Sequence, residues 1–117
     1  MSLAGLVAIL LIFSGEALSI AAEFVASKRI EAASGVHYSI LLEPVFLITV
    51  GGIFLIVGYA LGYSTLRNIW IISVVSIGSI LILEPTLALL MFKELPTYGA
   101  AVGLALGVIG LIATFAG

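Results

Sequence analysis

The chain has 117 residues, 63% of them hydrophobic and only 9% charged, with four basic and six acidic side chains. A soluble domain carries roughly 25% charged residues, so these few cannot coat a globule in water, and the composition belongs to a membrane. A net charge of −2 argues against a nucleic-acid partner, and zero cysteines with a single histidine exclude disulfide staples, thiol catalysis and most metal sites, so neither metal nor cofactor is expected.

Four apolar stretches take up almost the whole chain, at about residues 3–25, 40–63, 69–92 and 97–116. Each reaches the roughly 20 residues that cross a hydrocarbon core about 30 Å thick. None shows the segments of about 10 residues with alternating polarity that mark a membrane barrel. The expected fold is all-α: one polytopic domain, residues 1–117, with four transmembrane helices. The first stretch lacks a basic n-region and is too long for the apolar core of a signal peptide, so it is expected to remain as a helix.

That first helix carries Glu16 near its middle and Glu23 seven residues on. With Ser19 and Ser27 they form one polar stripe at helical spacing. A carboxylate near the bilayer centre costs about 2.5–3.5 kcal/mol on insertion scales, so the stripe is expected to face protein or water. A carboxyl held there needs a proton or a cation, which makes Glu16 the leading candidate for exchanging one for the other. The structural alternative is a protonated Glu bonded to a neighbouring helix. Ser19 and Glu23 are candidates beside it, Glu23 lying nearer the headgroups. The connection that follows, about 27–39, is read as the longest loop, holding Lys28, Arg29, Glu31, Gly35 and a solvated His37.

Helix two opens on Glu43-Pro44, where a carboxylate suits the positive dipole end and proline is tolerated. Its Gly58 and Gly62 make a weak close-packing pair. Tyr59 here and Trp70 on helix three are candidates for stacking on a cation. Trp70, with Tyr38, Tyr63 and Tyr98, also reads as an aromatic belt. The short links 63–68 and 93–96 make sequential helices antiparallel neighbours. Helix three carries Ser73, Ser76 and Ser79 with Gly78, a set that suggests an inward-facing helix. Its Glu84 precedes Pro85, which removes a backbone hydrogen bond and can bend the helix. Glu84 either lines a cavity or is structural. Helix four is uncharged and bears Gly99, Gly103, Gly107 and Gly110 on one face, read as an oligomer interface. Four helices scarcely enclose a substrate, which also favours a homodimer.

Loops one and three carry Lys28, Arg29 and Lys93 against Arg67 in loop two, so the positive-inside rule favours a cytoplasmic loop one and leaves insertion in both orientations open.

The stretch Pro85–Gly110, PTLALLMFKELPTYGAAVGLALGVIG, has a proline in the penultimate helix, the turn Glu94-Leu95-Pro96-Thr97, then Gly103 and Gly110. With four short helices and a mid-membrane Glu16, it resembles the small multidrug resistance family of the drug/metabolite transporter superfamily. The resemblance implies a multi-pass protein of the cell (inner) membrane. It also implies an antiparallel, dual-topology homodimer in which Glu16 of both subunits binds protons and a cationic substrate alternately. Where that family has a Gly-x-Gly kink in helix three, this chain reads Trp70 to Gly78 without one.

The leading expectation is thus proton-coupled export of small organic cations by alternating access. The alternatives are a flippase or flippase subunit for a lipid-linked amino-sugar headgroup, with membrane lipid as a partner, and an accessory or assembly subunit. An enzyme is not expected, because familiar intramembrane catalytic sets need aspartate, cysteine or more than one histidine.

Overall fold

The computed structural model describes residues 2–33 and 38–117, and it is all-helical there. Its elements are α1 (Leu3–Ala33), α2 (Tyr38–Leu66), α3 (Ile69–Phe92) and α4 (Tyr98–Ala116). All four are long and apolar enough to cross a membrane. The readings of Gly35 and His37 as loop residues fall outside the described residues.

The first helix is longer than its apolar run. α1 continues eight residues past Val25, so Lys28, Arg29 and Glu31 lie on its last turns instead of in a loop. Hydropathy marks where a helix leaves the hydrocarbon, whereas helix propensity marks where it ends. The extension Ala26-Ser27-Lys28-Arg29-Ile30-Glu31-Ala32-Ala33 is built mainly from strong helix formers. At 1.5 Å per residue the 31-residue helix spans about 46 Å, well beyond a 30 Å core. Helix two likewise starts early, at Tyr38, so Glu43 and Pro44 sit beyond its first turn. Glu43 therefore does not serve the helix dipole. It pairs with Arg29 at 2.7 Å and ties the extended end of α1 to α2.

Arg67 and Lys93 end α2 and α3 in the left-handed region, with φ of 57° and 55°. Their N–H groups donate to the carbonyls of Tyr63 and Leu89, closing each last turn. Asn68 then caps α3, its side-chain oxygen accepting from the N–H groups of Trp70 and Ile71 at 3.0 and 3.4 Å. Loss of this cap in Asn68→Ala is expected to cost about 1 kcal/mol, measured as a fall in unfolding free energy in mixed micelles.

α1 lies between α2 and α3, while α4 packs only along α3 among the described residues. The array is 47 × 34 × 17 Å, and α2 also meets α3 where Gly62 faces Ile72.

Glycine sets the α1–α2 seam. A Cβ on Gly15 would fall 2.8 Å from the Gly51 carbonyl oxygen, and one on Gly51 would fall 2.9 Å from the Gly15 carbonyl oxygen. A Cβ on Gly58 would fall 2.8 Å from Ile12 Cγ1 and 3.1 Å from the Ile12 nitrogen. Two backbones come this close only where side chains are missing, and dispersion then replaces the hydrophobic drive that lipid cannot supply. Adjoining this seam on α1, Ala8, Ile12, Glu16 and Ile20 repeat every four residues and are buried, as are Ile72, Val74, Ser76 and Ser79 of α3.

Candidate functional site

Among the described residues, the one acidic group in this core is Glu16. Its residue is only 9% exposed, and its Oε1 accepts a 2.6 Å hydrogen bond from Ser76 Oγ of α3. The geometry follows from two four-residue periods. Glu16 stands one turn from Ile12 and one from Ile20 along α1, and Ser76 one turn from Ile72 along α3, so the polar pair occupies the level between apolar layers. A short O–H···O bond to a carboxyl in a low dielectric is strong, and it fixes the side chain's orientation.

The second carboxyl oxygen differs. Oε2 takes no hydrogen bond from a described residue, yet among the described residues no sealed side-chain nitrogen or oxygen lacks a partner. Oε2 is therefore not fully sealed: one oxygen is tethered, and the other has no donor among the described residues. Removing the tether with Ser76→Ala leaves a buried acceptor without its donor, expected to cost about 1–3 kcal/mol of stability. Ser76→Thr keeps the hydroxyl and is expected to recover most of it, read from the same micelle unfolding curves.

The remaining candidates disperse. Ser19 is half-buried and donates to the Gly15 carbonyl at 2.8 Å, so its hydroxyl serves its own helix beside the glycine seam. Glu23 is exposed and lines a shallow hollow of about 180 Å³ between α1 and α2, with Ala22, Ala26 and Pro44. Ser27 is exposed and donates to the Glu23 carbonyl. The polar stripe of α1 is thus divided between two neighbours: Glu16 meets α3, whereas Glu23 lies beside α2. Glu84 is exposed and lines a groove of about 640 Å³ between α3 and α4. Trp70 is 77% exposed in the first turn of α3, and Tyr59 is half-buried on α2. Glu16 lines neither cavity, so within one chain these residues do not converge on a single chamber.

On α4, a Cβ added at Gly99, Gly103 or Gly110 meets nothing within 4 Å, while one at Gly107 falls 3.0 Å from Leu81 Cδ2. Gly107 lies furthest round the helix in the set, about 80° from Gly99 at 100° per residue, and it reaches α3. The other three glycines face open space. No residue of α4 is buried.

Ser76 is the hydrogen-bond partner of Glu16 that sequence reasoning did not single out. Ser79 shows why: it donates to the Val75 carbonyl at 2.8 Å, as any helical serine can. Only the register of α3 against α1 distinguishes the two.

One end of the array is fastened by side chains from the α1 extension. Lys28 Nζ donates to the Met91 carbonyl at 2.7 Å and stands 5.8 Å from the centroid of the Phe92 ring, which meets Phe24 edge-on at 5.4 Å. With the Arg29–Glu43 pair, this brings the C-terminal ends of α1 and α3 and the start of α2 to one side. The opposed directions expected for α2 and α3 follow from this, but the two pack mainly on α1 rather than on each other.

Among the described residues no group of three potential metal ligands is present. No protein-family model, curated protein or solved structure matches the chain.

Proposed function

We propose that this four-helix membrane protein exports small organic cations in exchange for protons, in the manner of the small multidrug resistance family, as a homodimer in a cell membrane. The observation that carries the reading is the Glu16–Ser76 pair: a buried carboxyl with one oxygen held at 2.6 Å and the other left to bind. An ionised carboxylate at this depth needs a counter-charge, and a protonated one does not. Cation and proton therefore compete for the same oxygen, and competition at one site is the minimum device for exchange. The unburied α4, which packs only on α3 among the described residues, supports the dimer by leaving a face for a second copy.

The test is capacitive current from the reconstituted protein on a solid-supported membrane, with guanidinium, quaternary ammonium and amino-sugar compounds as the panel. A saturable current that depends on Glu16 is the expected result. Silence across the panel from a folded dimer contradicts the proposal.

A further inference from the structure

The groove between α3 and α4 is a feature the Glu16 reading leaves unused. Its volume is about 640 Å³, within the range of small-molecule sites. The walls are apolar, from Leu81, Pro85, Leu89, Phe92 and Leu104, and they carry two carboxyls, Glu84 and Glu94. Glu94 lies in the α3–α4 turn at the mouth. Glu84 lies eight residues before the end of α3, about 12 Å along the helix.

Glu84 is exposed, and no described residue gives it a hydrogen bond or a salt bridge. Of the basic residues on this side, Arg29 pairs with Glu43 and Lys28 donates to the Met91 carbonyl, while Lys93 stands beside Glu94 in the turn. An ionised carboxyl at hydrocarbon depth is costly and calls for a counter-charge. A neutral amphiphile fills the apolar walls but leaves Glu84 bare, and an anionic lipid is repelled by both carboxyls.

We infer that the α3–α4 groove is a second ligand site that binds a single-chain amphiphile with a primary-amine head, its tail along the apolar walls and its ammonium at Glu84. A primary ammonium offers three donors to this carboxyl. The site is separate from Glu16 and does not rest on the transport reading.

The test is photolabelling in phosphatidylcholine nanodiscs with a diazirine-bearing dodecylamine, against a dodecanol carrying the same diazirine, with labelled residues located by mass spectrometry. Saturable labelling of groove residues is expected to be roughly tenfold stronger for the amine, the factor that goes with one charge-assisted hydrogen bond. It is expected to fall by a similar factor in Glu84→Gln. Gly103→Leu guards against misfolding of that variant. Gly103 lines the groove and a Cβ there meets nothing within 4 Å, so a leucine enters from open space and takes up groove volume, and labelling is expected to be lost. Glu16→Gln is expected to leave groove labelling unchanged while abolishing the coupled current, so the two readings fail separately. Equal labelling by the alcohol, labelling that survives both groove variants, or labelling lost in Glu16→Gln would each overturn the inference.

Discussion

Gly51→Ala is expected to destabilise the protein by about 1–3 kcal/mol, whereas Gly52→Ala, one residue along, is expected to be neutral or to stabilise by up to about 1 kcal/mol. The difference lies in what each new methyl meets. At Gly51 it falls 2.8 Å from Ser19 Oγ and 2.9 Å from the Gly15 carbonyl oxygen, and the latter is backbone that moves only if α1 moves. At Gly52 it meets nothing within 4 Å, and alanine then brings only its better helix propensity. Gly58→Ala belongs with Gly51, since its methyl falls against Ile12 and 3.2 Å from the Ala8 carbonyl oxygen. Reversible unfolding in mixed micelles reads all three. Equal effects at Gly51 and Gly52 would show that the close α1–α2 approach does not hold the protein together.

The same seam shows how far the sequence could be read. Four membrane-length apolar runs gave the helices, because a bilayer leaves the backbone few choices. Their ends were less legible. The charged residues after Val25 signal an exit from the hydrocarbon, and nothing in hydropathy says that the helix continues to Ala33. Glycine spacing drew attention to α4, where Gly99, Gly103, Gly107 and Gly110 are regular, yet the tightest contacts within the chain fall at Gly15, Gly51 and Gly58. Gly51 and Gly58 are seven apart and their counterpart lies on another helix, so no window on one helix displays the pattern. Glu16 stood out because a mid-membrane carboxyl is expensive. Its partner Ser76 did not, because serine in a helix is cheap when it bonds its own backbone, as Ser19 and Ser79 do.

Glu16→Gln is expected to abolish proton-coupled transport, lowering coupled flux roughly 100-fold or more, while changing stability by less than about 1 kcal/mol. Glutamine has the same length and keeps a carbonyl oxygen where Oε1 stands, so Ser76 retains an acceptor for its 2.6 Å bond. What it loses is the negative charge. Each charge-assisted hydrogen bond from carboxylate to cation contributes about 1.5–3 kcal/mol, and in a dimer with two such carboxyls the loss exceeds the 2.7 kcal/mol that corresponds to 100-fold. Ser76→Ala shows the opposite pattern, with its cost mainly in stability. Comparing the two separates the group that binds from the group that positions it.

The claim at the centre of this account is that proton and cation displace each other at Glu16. Proton release measures that displacement without a membrane gradient. Purified protein in weakly buffered detergent solution is mixed with the cation that gives the largest current, and a pH-indicator dye follows the change. Wild-type protein is expected to release protons in a saturable manner, and Glu16→Gln is expected to release none. Cation binding without proton release, or equal release from Glu16→Gln, would contradict the account.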